Sequence, residues 1–142
     1  MAVTYGTTTA FSNQSGLNSL ASGSLVSIGV IDNTSELADD YLVEITIADI
    51  AETTNKRALI YARTSIDGTN YSDATSGATN LVYVGKLDLT GLTAAGRSPA
   101  FSVASLFGGL MPPKAEIYVK NDAGVGFASS GNSAQYRSVK FS

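Results

Sequence analysis

Cysteine, histidine and tryptophan are all missing from this chain of 142 residues. Without cysteine there is no disulfide frame, no thiolate zinc site and no thiol nucleophile. Without histidine the chain lacks the side chain that titrates nearest neutral pH, the commonest general base and the commonest transition-metal ligand. A Ser-His-Asp hydrolase triad is therefore excluded. Long apolar runs are also lacking, and no stretch approaches the roughly 20 residues that a membrane-spanning helix needs. The opening MAVTYGTTTAFS has neither the basic start nor the apolar stretch of a secretory signal. The chain is expected to be soluble, made in the cytosol, and to contact no membrane.

Charge is scarce and unevenly placed. Residues 1–31 carry no Lys, Arg, Asp or Glu. Asp32 to Gly96 holds ten acidic and four basic residues, and Arg97 to Ser142 five basic and two acidic. The net charge of −3 and the isolated positions of Lys56-Arg57 and Lys114 argue against a nucleic-acid track. A chain of this length folds as one domain with a core large enough to need no staples.

What is present is alternation. Tyr41, Val43, Ile45 and Ile47 are apolar against Glu44, Thr46 and Ala48. Ala58, Ile60, Ala62, Thr64 and Ile66 oppose Leu59, Tyr61 and Arg63; Leu81, Tyr83, Leu87 and Leu89 oppose Val82, Val84, Lys86 and Asp88. A period of two places one parity on each face of a strand. Strands are expected at about 24–31, 40–50, 57–66, 80–89, 115–121 and 134–141, with a further run near 125–129. Asp32-Asn33-Thr34-Ser35 and Asp67–Asp73 are turn signals, because Asx side chains compete for backbone hydrogen bonds. Ser98-Pro99 followed by Ala100, Val103, Ala104 and Phe107 at helical spacing predicts a short helix over 99–107, ended by Gly108-Gly109, although Phe101, Val103 and Phe107 also permit a strand. Residues 1–23, rich in Thr, Ser and Gly, read as an extended N-terminal arm plus turn ahead of a single domain at 24–142, or else as an edge strand, since Thr-Thr-Thr favours β geometry. The expected fold is all-β: an antiparallel β-sandwich, jelly-roll-like or immunoglobulin-like.

Chemistry-bearing constellations are few. Asp67, Asn70 and Asp73 offer oxygen ligands of the kind calcium takes, but without EF-hand spacing, and Asp-Gly is an ordinary turn pair. Tyr71 on the same loop, with Tyr83 and Tyr118, is a candidate contact aromatic. Asp39, Asp40 and Glu44 form the densest acidic group; Asp40 and Glu44 fall ~13 Å apart along a strand, a poor pair for glycosidase chemistry. Gly124-Val125-Gly126 lacks the Lys-Ser/Thr and the helix of a phosphate loop. No enzyme activity, cofactor or metal is expected.

Three stretches carry a resemblance: Ile31-Asp32-Asn33-Thr34 before DYLVEITI, then RTSIDGTNYSD, then FGGLMPPKAEIYVKNDAGVGFASSGNSAQY. Over roughly residues 25–141 the chain resembles small virion proteins of tailed bacteriophages, of the capsid decoration or cement kind. The resemblance implies a structural role on the outer surface of the capsid shell, bracing it against packaged DNA. It implies the major capsid protein as partner, a homo-oligomer (dimer or trimer), no nucleic-acid contact, and a place in the virion after synthesis in the host cytoplasm. In such a protein the uncharged arm, with Thr7, Thr8, Thr9 and Phe11, would add a strand to a neighbour's open sheet edge, and Asp67, Asn70 and Tyr71 would present a contact loop. The alternative is a carbohydrate-binding β-sandwich module of a phage head fibre, tail or spike, weakened by the absence of Trp and of a clustered aromatic trio.

Overall fold

The computed structural model describes residues 1–50, 56–73 and 80–142. Six long strands follow the alternating segments: β3 (Leu25–Asp32), β4 (Asp40–Ile47), β5 (Arg57–Ser65), β6 (Val82–Asp88), β9 (Lys114–Asn121) and β10 (Ser133–Phe141). Four short ones fill the edges: β1 (Val3–Tyr5), β2 (Thr9–Ala10), β7 (Gly96–Arg97) and β8 (Phe101–Ser102). They form two antiparallel sheets packed as a sandwich. The six-stranded sheet runs β1-β10-β4-β7, with β2 also on β10 and β8 also on β4; the four-stranded sheet runs β3-β9-β5-β6. Among the described residues no helix is long and apolar enough to cross a membrane.

The alternation explains the layers. Tyr41, Val43, Ile45 and Ile47 of β4 are buried and face Ala58, Ile60 and Ala62 of β5 and Ala115, Ile117 and Val119 of β9 in a common core. Each large side chain removed from water there contributes about 1.5–3 kcal/mol. Two bulges reset the pattern. Ile28 is the extra residue where Ser27 opposes Tyr118 and Gly29 opposes Ile117, so Ile28 and Ile31 are both buried. Val84 is the extra residue between Gly85, opposite Ile60, and Tyr83, opposite Tyr61. Leu87 therefore faces the core, whereas Tyr83 faces out.

Residues 1–23 follow the edge-strand alternative rather than the arm. Phe11 and Leu17 are buried, β1 and β2 pair with β10, and a 3-10 turn at Gln14–Leu17 sits against β3. The segment crosses from one sheet to the other: the Phe11 N–H donates to Ala134 O at 3.0 Å and the Asn13 N–H to Ile28 O at 2.9 Å. Gly29 makes the crossing possible. With φ of +142° it has no Cβ where Ser12 Oγ would lie 3.0 Å and the Phe11 ring 3.3 Å away.

The helix expected over 99–107 is also absent. Phe101 and Ser102 pair with Val43 and Leu42 as β8, and only a 3-10 turn, Ala104–Phe107, follows. Asp40 decides this. Its carboxylate accepts from the Ser102 hydroxyl at 2.6 Å and the Ala104 N–H at 2.8 Å, which holds the chain on the edge of β4. Ser98 is no helix cap; its hydroxyl takes the Ile45 N–H at 2.9 Å. The run near 125–129 is not a strand either. Phe127 is a core residue whose N–H donates to Leu20 O at 3.0 Å.

Candidate functional site: a tyrosine face on the four-stranded sheet

The outward parity of the four-stranded sheet gathers residues that lie far apart in sequence. Tyr83 on β6 opposes Tyr61 on β5, Tyr61 opposes Tyr118 on β9, and Tyr118 opposes Ser27 on β3. At strand spacing the three rings span ~10 Å. Tyr61 and Tyr83 meet edge to face, with centroids 5.7 Å apart and planes at 67°. The row on one side is Lys86, Leu59, Lys120 and Leu25; on the other, Arg63, Glu116 and Val30.

Arg63 organises this face. Its guanidinium pairs with Glu116 Oε1 at 2.7 Å and its Nη1 donates to Ser72 O at 2.9 Å. It lies 4.9 Å from the Tyr71 ring centroid and 5.7 Å from that of Tyr118. The loop after β5 is thereby folded back so that Tyr71 joins the row. The Tyr118 hydroxyl donates to Glu116 Oε1 at 2.5 Å. Burial, then the hydrogen bond to Glu116 and its charge, push Tyr118 up to about 12. Burial, with the Glu116 charge, also raises Tyr71 against the opposing influence of Arg63. Both phenols thus remain neutral donors at physiological pH.

The other candidates have structural roles. Asp67 Oδ1 accepts from the Asn70 and Thr69 N–H groups at 2.7 and 2.8 Å and from the Ser65 hydroxyl at 2.9 Å, and its Oδ2 accepts from Asn70 Nδ2 at 2.8 Å. These donors, the Asn70 N–H first, hold its carboxyl far below the ordinary carboxylate range. Asp67 and Asn70 so form a closed turn, and among the described residues no group of three or more acidic side chains is placed to hold a metal ion. The Asp39–Glu44 group is dispersed. Asp39 accepts from the Phe141 N–H, Asp40 holds Ser102 and Ala104, and Glu44 accepts from Gln135 Nε2 at 2.9 Å, near Arg97. Thr7 and Thr8 are exposed, Thr9 pairs with Tyr136 in β2, and Phe11 belongs to the core rather than to a surface.

Two concavities among the described residues are shallow. One of about 170 Å³ lies between Thr8, Glu44, Gln135 and Arg137; another of about 270 Å³ lies at one end of the sandwich, between Ile66, Phe107, Leu110 and Met111. Both fall below the roughly 300–1,000 Å³ of small-molecule sites. The geometry suits contact with a broad surface.

The sequence already marked Tyr71, Tyr83 and Tyr118 individually. It missed Tyr61 and the row itself, because the bulge at Val84 alone sets Tyr83 beside Tyr61. No family model matches this chain, and no curated protein and no solved structure matches it significantly.

Proposed function

We propose that the chain is a virion structural protein, a capsid decoration (cement) protein that binds the outer surface of a tailed-phage capsid through its tyrosine face. The observation that carries this reading is the row Tyr83-Tyr61-Tyr118, extended by Tyr71, across the outward face of one sheet. Tyrosine supplies large amphipathic contact area while immobilising few rotatable bonds, which is why it is enriched at protein interfaces. Arg63 orders Tyr71 before any partner arrives, so less entropy is lost on docking. The major capsid protein is the partner, and many copies on one lattice convert weak single contacts into firm retention. The sandwich is taken to be jelly-roll-like in connectivity, and its role is bracing without turnover, as a homo-oligomer in the virion.

The test is co-sedimentation with empty capsid shells. The wild-type chain pellets with the shells, and the Tyr61→Ala/Tyr83→Ala double variant, still folded by circular dichroism, stays in the supernatant. Wild-type protein left in the supernatant, or a double variant that pellets equally well, refutes the reading.

The same row supports a second reading, a carbohydrate-binding module of a head fibre, tail or spike, since the fold supplies the aromatic trio that the sequence order hides. The geometry favours it less. Tyr61 and Tyr83 stand edge to face and Arg63 packs on the Tyr71 ring, so coplanar faces for stacking a sugar ring are not offered. A glycan array without signal above background removes this second reading.

A further inference from the structure

With cysteine and tryptophan absent, the seven tyrosines are the side chains from which an oxidant most readily draws a single electron. Methionine takes up an oxygen atom when oxidised rather than coupling to a neighbour, so Met1 and Met111 form no bond of their own. Which tyrosines meet is decided by the fold. Among the described residues two tyrosine pairs have their rings in contact: Tyr61 with Tyr83, centroids 5.7 Å apart, and Tyr41 with Tyr136, centroids 6.0 Å apart.

The second pair is closed off. Tyr41 is 2% exposed, and its hydroxyl lies 3.2 Å from both Asn33 Oδ1 and Glu36 Oε2. Tyr136 is packed on Phe11, with centroids 4.8 Å apart. The other three rings each meet a guanidinium: Arg63 packs on Tyr71 and Tyr118, and Arg137 on Tyr5. A cation beside a ring opposes withdrawal of an electron from it. Tyr118 also faces Tyr61 across the strands, but its hydroxyl is bound to Glu116.

Tyr61 and Tyr83 combine contact with access. Tyr83 is 51% exposed and Tyr61 is half-buried. They stand directly opposite each other on β5 and β6, where Cβ atoms are about 4.5–5.5 Å apart. Their planes cross at 67°, so the edge of one ring already points at the other. Exposed side chains change rotamer in picoseconds to nanoseconds, so Tyr83 has time to turn its ring alongside that of Tyr61.

We propose that Tyr61 and Tyr83 are a cross-linking site, joined ring to ring as dityrosine when the folded protein meets hydrogen peroxide and a haem peroxidase. Each phenol gives up one electron and its hydroxyl proton, leaving a phenoxyl radical. The two radicals join through the carbons ortho to oxygen. The hydrogen on each of those carbons passes to the neighbouring oxygen, which restores both phenols. Peroxide accepts the two electrons and two protons and leaves as two waters. The new bond fastens β6, which pairs with β5 and with no other described strand. A chain without cysteine thereby acquires a covalent tie between strands. The inference stands apart from what the tyrosine face binds.

The test is treatment of the full, folded chain at micromolar concentration with a haem peroxidase and equimolar hydrogen peroxide, followed by intact mass and tryptic mapping. Cleavage after Arg57, Arg63 and Lys86 places Tyr61 in peptide 58–63 and Tyr83, with Tyr71, in peptide 64–86. Expected are a monomer lighter by the mass of two hydrogen atoms, dityrosine fluorescence, and peptides 58–63 and 64–86 joined, with fragmentation placing the bond at Tyr83. The Tyr83→Phe variant keeps the ring and loses this product, whereas Tyr71→Phe retains it. A monomer of unchanged hydrogen content, covalent dimers alone, a bond mapped to other tyrosines, or a Tyr83→Phe variant that still joins the two peptides each overturns the inference.

Discussion

Replacing Arg63 by Met tests whether one cation organises the tyrosine face. Methionine keeps much of the apolar stem and deletes the guanidinium. Three sets of contacts go with it: the pair to Glu116, the bond to Ser72 O and the packing on Tyr71 and Tyr118. The side chains of Arg63 and Glu116 are 22% and 14% exposed, so the pair is neither free in water nor sealed. Breaking a buried pair by removing one partner costs about 3–5 kcal/mol, and an exposed pair is worth about 0.2–1 kcal/mol. Partial burial sets the expected loss at about 2 kcal/mol, or roughly a 7 °C fall in melting temperature for a domain of this size. Urea unfolding measures it through the midpoint at unchanged m-value. Glu116→Gln completes a double-mutant cycle, in which the double variant should be more stable than the sum of the single losses implies, with a coupling of about 1–2 kcal/mol. Single losses that add to within about 0.5 kcal/mol would show that Arg63 does not act through Glu116.

Gly29→Ala should cost about 2 kcal/mol in thermal unfolding, since it combines an unfavourable φ of +142° with a Cβ 3.0 Å from Ser12 Oγ. Gly23→Ala, at φ +80° with open space around it, should cost less; equal losses would mean that close approach of the N-terminal segment is irrelevant. Below the ordinary aspartate value of 3.8 the fold should weaken, because Asp67, Asp32 and Asp88 are all held lower by hydrogen bonds within their turns. The contribution of Asp67 is present above 3.8 and lost as pH falls through its depressed folded value. The melting-temperature gap between wild type and Asp67→Asn at neutral pH should therefore close in strong acid, and a constant gap contradicts the assignment. At high pH the unfolded chain releases its tyrosine protons near 10.0, whereas folded Tyr118 holds its own to about 12. Stability should then fall from pH 10 towards 12, with a late tyrosinate absorbance step; seven tyrosines titrating together near pH 10 would refute the burial of Tyr118.

The long strands were legible because most of each repeats a two-residue period, broken only by the bulges in β3 and β6. The burial of β4 and β9 alternates without a break, and their sequences follow it except at Leu42, apolar on the outward parity, and Asn121, polar on the buried one. The edges were legible only as alternatives. Phe11 and Leu17 are isolated in a Thr- and Ser-rich stretch, and only the partners supplied by β10 and β3 turn residues 1–23 into structure. At 99–107 the apolar spacing fits a helix, but the carboxylate of Asp40, more than sixty residues earlier, captures Ser102 and Ala104. Local propensity yields there to a tertiary hydrogen bond. The tyrosine row was half legible for a related reason: parity points each ring outward, but register across strands decides which rings meet.

β9 lies between β3 and β5, and β10 between β1 and β4. The middle of each layer is therefore made late during synthesis. A ribosome that has delivered everything through β8 has released strands that lack the element meant to join them. β5 can pair with β6, and β4 with β7 and β8, but neither layer is complete until residues 114–141 emerge, so the loops that close last are long and folding is correspondingly slow. Until that moment the nascent chain carries strand edges of β3 and β1 whose partner has not been made, the kind of exposed edge through which unfinished chains associate.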